Sequence, residues 1–321
     1  MKLLSIRSGG QNRSGMIIGS EVFDARAFRD LEERGKIPIG SQRSFTSSTA
    51  KLEDALDLLA FGGRKLLALS ARISGDQKLA EMCRDAGALK PLEGVSLNAP
   101  VIRPGKILAV GLNYAAHAAE QNREAPSRPL IFSKCVTALI GPEDPIILPR
   151  ITEKPDYEAE LAVVIGREAK DVKARDAYDY VAGYTIMNDV TARDLQKSES
   201  QWARAKGLDT FAPCGPWLVT TEEIPDPHAL DIRLLVNGET RQDSNTRDLI
   251  FKVPELIEFI SQDLTLNPGD IISTGTPAGV GVHRNPPVFL REGDRIEIYI
   301  EKIGTLKSGV RGRAQLSPGI S

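Results

Sequence analysis

The sequence Asp-Tyr-Glu-Ala-Glu-Leu-Ala-Val-Val-Ile-Gly, residues 156 to 166, decides how this chain folds. Its run Ala159 to Ile165 is largely apolar on both faces and ends at Gly166, which is typical of a fully buried strand. Glu158 and Glu160 lie at the start of that strand. Because side chains alternate along a strand, both carboxylates project to the same side.

A third carboxylate comes from Gly-Tyr-Thr-Ile-Met-Asn-Asp-Val-Thr-Ala-Arg-Asp-Leu-Gln, residues 183 to 196. Tyr184 to Asn188 predicts a second strand, and Asp189 follows it directly. Three carboxylates beside buried apolar residues repel one another, and protonation or a cation relieves that cost. Oxygen ligands favour Mg²⁺ or Mn²⁺, and less readily Ca²⁺, over zinc. We interpret Glu158, Glu160 and Asp189 as the ligands, although an exposed edge strand is an alternative for Glu-x-Glu.

These two stretches resemble the metal-site signature of the fumarylacetoacetate hydrolase family, including its acylpyruvase and oxaloacetate decarboxylase-like members. The similarity extends from about Lys106 to Leu306, and several separate motifs match in order. The resemblance implies an α+β fold in which a mixed, β-rich roll forms the catalytic domain. It also implies that the matching carboxylates hold the metal, and that the protein is a homodimer. Composition alone indicates only that helices and strands are both present.

The chain divides by pattern into a small N-terminal α+β domain, residues 1–97, and a catalytic domain, residues 98–321. Two short strands near the start predict a hairpin. Helical patterns follow within Lys51 to Ala60 and before Gly87. A segment rich in proline and glycine then connects the two predicted domains.

Bulk composition excludes several classes of protein. The 321 residues are 41% hydrophobic and 26% charged, and the formal net charge is −2. This balance, without a basic cluster, argues against a nucleic-acid partner. No apolar run reaches the roughly 18 residues that a membrane span needs, and the start does not have the pattern of a signal peptide. We therefore expect a cytoplasmic protein, with its three separated cysteines as reduced thiols.

A histidine and a glutamate follow a predicted buried strand at Lys106 to Tyr114. His117 and Glu120 are three residues apart, so on a helix they share a face, and the carboxylate raises the basicity of the imidazole. Such a pair is often merely solvated. However, Gly-Leu-Asn-Tyr-Ala-Ala-His-Ala-Ala-Glu, residues 111 to 120, resembles the family's catalytic loop, in which the matching histidine and glutamate activate water.

One departure from the family pattern is Asn113, near a position where some members have a metal-binding aspartate. Either water completes the metal shell, or Asn113 contributes its carbonyl oxygen. The polar segment from Gln121 to Arg128 then predicts a mobile flap over the site or an inert loop.

Three further residues are assigned to the site by the resemblance. Thr191 to Lys197 predicts a helix with Thr191 as its cap, on which Arg193 and Gln196 share a face. The family pattern implies that both bind substrate, whereas pairing of Arg193 with Asp189 or Asp194 is the structural alternative. Lys206 matches the family's active-site lysine and would retain its charge beside the carboxylates.

The last candidates lie in a hairpin and a glycine-rich loop. Asn237-Gly238 predicts a tight turn, and Arg241 and Gln242 just beyond it either reach the substrate or lie in solvent. Thr274-Gly-Thr-Pro-Ala-Gly-Val-Gly281 can direct backbone N–H groups at an anion, but it lacks the ending of a nucleotide loop. In the family this loop, with Gly275 and Thr276, holds a substrate carboxylate. Residues 307 to 321 have the pattern of a tail.

The resemblance implies a metal-dependent hydrolase that cleaves a C–C bond in a small 2,4-dioxo acid of the acylpyruvate or fumarylpyruvate type. His117 with Glu120 would deprotonate water, and the departing enolate would be stabilised by the metal and Lys206. Oxaloacetate decarboxylation and 2-hydroxyhepta-2,4-diene-1,7-dioate isomerisation could use the same site, and the sequence does not separate them. A non-catalytic protein with a structural metal is the alternative outside the enzymes.

Overall fold

The computed structural model of the protein describes residues 1–35, 51–60 and 62–313. The strands are β1 (Lys2–Ser8), β2 (Gln11–Ile18), β3 (Glu21–Asp24), β4 (Leu89–Pro91), β5 (Leu97–Asn98), β6 (Ile107–Gly111), β7 (Leu130–Lys134), β8 (Leu139–Ile140), β9 (Ile146–Leu148), β10 (Pro155–Asp156), β11 (Ala159–Ile165), β12 (Val181–Asn188), β13 (Thr191–Ala192), β14 (Ala212–Thr220), β15 (Asp231–Val236), β16 (Glu239–Asn245), β17 (Ile271–Ser273), β18 (Arg295–Ile300) and β19 (Gly304–Gly312). The helices are α1 (Ala25–Glu33), α2 (Ala55–Ala60), α3 (Gly63–Gly75), α4 (Gln77–Asp85), α5 (Ala115–Glu120), α6 (Arg193–Ser198), α7 (Ala203–Lys206) and α8 (Val253–Asp263). None of the helices in these ranges is long and apolar enough to cross a membrane.

The centre of the fold is the pair β11 and β12. Both strands are buried along their whole length, as expected for strands rich in β-branched and aliphatic residues. They run antiparallel with Ala159 opposite Asn188. This register brings the start of β11 beside the end of β12, so the residues just outside the paired segment, Glu158 and Asp189, become neighbours.

β11 and β12 lie inside a twelve-stranded sheet. Its strand order is β4-β3-β2-β1-β14-β12-β11-β17-β6-β7, and β5 pairs with β1 and β8 with β14. A second sheet, β16-β15-β18-β19-β9, packs against it. Side chains from both sheets share one hydrophobic core, among them Leu161 and Val163 from β11 and Leu234 and Ile298 from the second sheet. The predicted hairpin around Asn237 is confirmed by the pairing of β15 with β16.

The predicted tail is wrong for its described part, because residues 304 to 312 form β19 between β18 and β9. Leu306, Ser308 and Val310 are buried, and the residues between them are more exposed. This is a strand alternation with a period of two, but serine and glycine obscure it in the sequence. Residues 314 to 321 lie outside the described ranges.

The N-terminal strands continue the same large sheet. The predicted hairpin is confirmed as β1 and β2, and β1 also pairs with β14, with Leu3 opposite Leu218. A second core cluster contains residues from both sides of residue 97, including Phe28 and Met187. Hydrogen bonds and apolar contacts cross the predicted boundary between residues 97 and 98. The division into domains 1–97 and 98–321 stays a prediction.

Candidate active site

Three buried carboxylates meet where β11 begins and β12 ends. Glu158, Glu160 and Asp189 are at most 4% exposed, and each offers an oxygen within 4.8 Å of the others. The backbone fixes this meeting, because Asp189 N donates to Glu158 O at 2.9 Å and Glu158 N donates to Asn188 Oδ1 at 3.0 Å. The convergence predicted from the alternation of Glu158 and Glu160 is therefore present in the structure.

Buried cations hold two of these carboxylates. Lys206 Nζ donates to Glu158 Oε2 and to Asp189 Oδ2, both at 2.6 Å. Arg193 Nη2 lies 2.6 Å from Glu158 Oε1. Burial raises the pKa of Glu158, but the charges of Lys206 and Arg193 lower it by more, so the pKa lies below its ordinary value. Glu158 is therefore ionised across the physiological pH range.

Glu160 has a different environment. Its Oε2 accepts from the Ser273 hydroxyl at 2.6 Å and from Gly275 N at 2.9 Å. Burial, followed by the negative charges of Asp189 and Glu158, raises the pKa of Glu160 to about 8. A divalent cation among the three groups would replace that proton. The all-oxygen donor set, with no zinc-preferring histidine or cysteine among the three groups, fits Mg²⁺ or Mn²⁺.

The histidine and glutamate pair is formed as its spacing predicted. On α5, His117 Nδ1 lies 2.6 Å from Glu120 Oε1, and Glu120 Oε2 accepts from Gly279 N at 3.0 Å. His117 Nε2 lies 2.9 Å from the side-chain nitrogen of Gln121. A carboxylate on one ring nitrogen and an amide donor on the other favour the tautomer with hydrogen on Nδ1. The lone pair is then on Nε2, where a base needs it.

One cavity of about 420 Å³ connects these groups. Its lining includes eight residues predicted from the sequence: His117, Glu158, Glu160, Asp189, Arg193, Gln196, Lys206 and Thr276. His283 also lines the cavity, with its ring centroid 6.3 Å from that of His117. The carboxylate trio, the histidine and both basic residues thus face one space.

Four predicted residues are not among those that line the cavity: Glu120, Gly275, Arg241 and Gln242. Gln242 is buried, its Oε1 accepts from Ala159 N at 2.9 Å, and its Nε2 donates to Thr276 Oγ1 at 2.8 Å. It therefore ties the loop of Thr276 to the start of β11. Arg241 pairs with Glu239 on the hairpin arm at 2.8 Å. Substrate contact by Arg241 or Gln242 stays a prediction.

The side chain of Asn113 forms hydrogen bonds with backbone groups. Its Oδ1 accepts from Phe251 N at 2.7 Å, and its Nδ2 donates to Thr274 O at 2.7 Å and to Phe251 O at 3.0 Å. The side chain is fully buried and is not part of the cavity lining. Of the two predicted alternatives, this geometry favours water completing a metal shell.

The helix of Arg193 begins later than predicted. Thr191 is not its cap, because Thr191 and Ala192 form β13, which pairs with β10, and α6 begins at Arg193. The predicted shared face is present, since Arg193 Nη1 donates to Gln196 Oε1 at 3.0 Å. Arg193 Nε also donates to Asp156 Oδ2 at 2.8 Å. The structural pairing anticipated for Arg193 thus involves Asp156 and Glu158 in place of Asp189 or Asp194.

Two buried charged residues that contact the site were missed in the sequence. Lys134 has a side chain with no exposed surface, and its Nζ donates to Asp189 Oδ1 at 2.5 Å and also to the backbone oxygen of Lys206. Asp156 is equally buried and accepts from Gly281 N at 2.8 Å and from Val282 N at 3.0 Å. A lysine within the apolar run Leu130 to Lys134 was the available signal for the first of these.

A family model described as fumarylacetoacetate hydrolase, C-terminal, matches residues 106–311. The chain belongs to the fumarylacetoacetate hydrolase family. As a member of that family, whose proteins usually bind a divalent metal, the protein is an enzyme. The matched range contains all twelve residues predicted for the site and also Lys134.

Relatives in the fumarylacetoacetate hydrolase family carry several names. Oxaloacetate tautomerase FAHD2A, a mitochondrial protein of Bos taurus, is 52% identical over 218 residues, which are 67% of this chain and 69% of that protein. The solved fumarylacetoacetate hydrolase from psychrophilic Exiguobacterium antarcticum is 33% identical with a TM-score of 0.76, covering 98% of this chain and 100% of the other. The 2-hydroxyhepta-2,4-diene-1,7-dioate isomerase of Mycobacterium marinum is 35% identical with a TM-score of 0.70 and the same coverage. These likenesses confirm the predicted fold.

Proposed function

We propose that the enzyme interconverts the keto and enol forms of a small 2-oxo acid such as oxaloacetate. The observation that carries this proposal is a base, His117 Nε2, in the same cavity as a carboxylate trio suited to a hard cation. The name of the bovine relative, oxaloacetate tautomerase, supports it. Glu158, Glu160 and Asp189 would hold Mg²⁺ or Mn²⁺, which, when bound, supplies Lewis acidity to the 2-oxo group.

The proton transfer would use residues of the chain. His117 would take a proton from carbon 3 through Nε2, and the electron pair of that C–H bond would become the second bond between carbons 2 and 3. The oxygen on carbon 2 would gain negative charge beside the Lys206 ammonium. His117 would then return the proton to that oxygen, which balances the reaction. Glu120, held by Gly279 N, would stabilise the imidazolium between the two steps.

Hydrolysis of the C–C bond in a 2,4-dioxo acid is the second candidate. It is supported by the cavity of about 420 Å³, which has room for more than a four-carbon acid, and by the structural likeness to a fumarylacetoacetate hydrolase. His117 would then take its proton from water, whose oxygen attacks the far carbonyl while pyruvate leaves as its enolate. Decarboxylation of oxaloacetate and isomerisation of an unsaturated dioate would need the same enolate stabilisation.

The test measures enol disappearance by ultraviolet absorbance and pyruvate release in parallel, with oxaloacetate and an acylpyruvate, after subtraction of the rate with metal alone. We expect the enzyme to raise the rate of oxaloacetate enol loss above the rate with metal alone, and this enzymatic rate to fall about 10²- to 10⁴-fold in His117→Asn. The affinity for Mn²⁺, measured by titration, should stay within about twofold because His117 is not among the proposed ligands. Pyruvate release from the acylpyruvate alone would favour the hydrolase instead.

A matched variant, Glu120→Gln, keeps one of the two hydrogen-bond acceptors and removes the charge. It should lose less activity than His117→Asn, because the imidazole remains and only the stabilisation of its charged form is weakened. Equal losses would contradict this division of roles. Chelation separates the non-enzymatic alternative: a structural metal would lower the melting temperature strongly, whereas a catalytic one would mainly remove activity.

Assembly and location belong to the same proposal. We infer a homodimer from the family resemblance, and light scattering on the purified protein would measure it. A cytoplasmic location stays a prediction from the sequence, and the bovine relative is named as a mitochondrial protein.

A further inference from the structure

Two aromatic rings form one side of the cavity beside Lys206. Phe132 and Trp202 pack edge to face, with ring centroids 5.4 Å apart and planes at 74°, and both line the cavity. The Lys206 ammonium lies 5.0 Å from the centroid of the Phe132 ring. We call Phe132 and Trp202 the aromatic wall. It begins directly beside the lysine at the carboxylate centre.

The aromatic wall extends outward from the carboxylate centre because both β7 and α7 run from a buried lysine towards the cavity opening. Along β7, residues two apart share a face, so the side of the strand that carries the buried Lys134 carries Phe132 next and then Leu130, which is 40% exposed. Along α7, Lys206 N donates to Trp202 O at 2.9 Å, and residues four apart share a helix face. Each segment places a lysine at the centre and an aromatic ring farther out.

Gly111 on β6 leaves the room that the wall occupies. A Cβ atom at this position would lie 3.1 Å from Trp202 Cζ3 and 3.1 Å from Leu130 Cδ2. The φ angle of Gly111 lies outside the left-handed region, so its conformation does not demand glycine. The lack of a side chain at Gly111 therefore leaves room for the Trp202 ring.

The cations that line the cavity are poorly placed to bind a carboxylate at the far end of a substrate. Arg193 is engaged by Asp156, Glu158 and Gln196, and Lys206 by two carboxylates. Two further cations of the lining, Arg123 and Lys197, are exposed to solvent. Exposed ion pairs are screened and contribute little, whereas a flat apolar group against aromatic rings buries surface.

We propose that the aromatic wall determines specificity for the far end of the substrate. It favours a flat, apolar or conjugated substituent, as in a 2,4-dioxo acid that ends in an aromatic ring, over the second carboxylate of oxaloacetate, so the site turns oxaloacetate over without using the wall. This inference rests on the proposed function, because the 2-oxo acid end has to lie at the carboxylate trio for the opposite end to reach the wall.

Kinetics test the wall through a ratio. We compare kcat/KM for an aroylpyruvate with kcat/KM for oxaloacetate, each by enol disappearance, in the wild type, Trp202→Ala and Trp202→Phe. The ratio should fall about tenfold in Trp202→Ala, mainly through KM of the aroylpyruvate, and recover largely in Trp202→Phe. Gly111→Ala, whose added methyl group would press on the Trp202 ring, should lower the same ratio. An unchanged ratio in all three variants would overturn the proposal.

A binding measurement separates the wall from the chemistry. The chain has two tryptophans, and Trp217 Nε1 donates to Ile303 O at 2.7 Å outside the cavity lining, so Trp217→Phe leaves Trp202 as the single indole. The probe is 4-phenyl-2-oxobutanoate, with Mg²⁺ present. Its binding should change the Trp202 fluorescence, and oxaloacetate should change it much less.

The two hypotheses fail in different ways. If the probe changes the fluorescence but no 2-oxo acid is turned over, the proposed reaction is wrong and the wall is supported. If oxaloacetate is turned over but the probe neither inhibits this reaction nor changes the fluorescence, the wall is wrong and the reaction stands.

Discussion

The floor and the mouth of the cavity are built from different parts of the fold. The floor consists of carboxylates at the ends of β11 and β12, two strands that are buried throughout. The mouth consists of the edge strand β7, the short helix α7 and exposed cations. Changes in the floor alter side chains that lie among buried strands, whereas changes in the mouth alter side chains nearer the surface. The fold therefore fixes the chemistry tightly and leaves selection of the substrate's far end free to vary.

Removing a floor ligand gives the largest expected effect. Glu160→Gln should weaken Mn²⁺ binding by more than about a hundredfold, since even residues that only support ligands cost 10- to 100-fold. The metal-free protein should fold normally, because the raised pKa of Glu160 already makes this group largely neutral near pH 7. Mn²⁺ titration and thermal unfolding of the metal-free protein measure the two quantities.

Asp189→Asn is the contrasting variant. It leaves the buried Lys134 and Lys206 without their shared carboxylate, which should cost about 3–5 kcal/mol of stability. Equal melting temperatures for Glu160→Gln and Asp189→Asn would show that the floor does not depend on these lysines.

Lys134 should matter for activity without touching the reacting atoms. Lys134→Met would free Asp189 Oδ1 and the segment of Lys206, and we expect kcat to fall by roughly 10- to 100-fold. Lys106→Met is the matched control, because Lys106 pairs with Asp270 outside the cavity lining. A similar loss of kcat in both variants would assign the effect to general destabilisation.

Metal binding to the floor should depend on pH through Glu160. With a pKa of about 8 for Glu160, Mn²⁺ has to displace a proton, so the affinity should rise by up to about tenfold per pH unit between pH 6 and 8 and then level off. The folded metal-free protein also holds this proton more tightly than the unfolded chain, in which the pKa is near 4.5. Its stability should therefore fall as the pH rises from about 4.5 to 8. In Glu160→Gln both trends should weaken.

The mouth cations give the smallest expected effect. Arg123→Ala and Lys197→Ala should each change kcat/KM for oxaloacetate by less than about threefold, because both side chains are exposed. Whatever difference remains should shrink further in 0.5 M salt through screening. A tenfold loss that persists in high salt would contradict this prediction and would mean that the mouth cations bind a carboxylate of the substrate directly.

The sequence predicts the floor better than the mouth, for physical reasons. Glu158 and Glu160 are related by strand alternation, and His117 and Glu120 by helical spacing, so local geometry alone brings each pair together. Lys134 at the end of β7 meets Asp189 after β12 although three strands separate β7 from β12 in the sheet. The contact therefore depends on tertiary packing, which no local pattern contains.

The same limit applies to the aromatic wall. Phe132 and Trp202 are 70 positions apart in the sequence and meet only after β7 and α7 have packed. The position of Arg241 and Gln242 on the predicted hairpin left substrate contact and solvent exposure both open, and it did not reveal that Gln242 holds the loop of Thr276 from inside the core.

The pairing of β1 with β14 has a consequence for protein synthesis. Leu3 lies opposite Leu218, so a ribosome makes about two-thirds of the chain between the two partners. Until then β2 covers one edge of β1, and β5 covers Ser5 and Ile6 on the other edge. The remaining edge at Lys2 and Leu3 stays unpaired until β14 has been made. An unpaired strand edge can pair with other chains. A nascent chain that stops before β14 would therefore depend on chaperones more than one that has passed it.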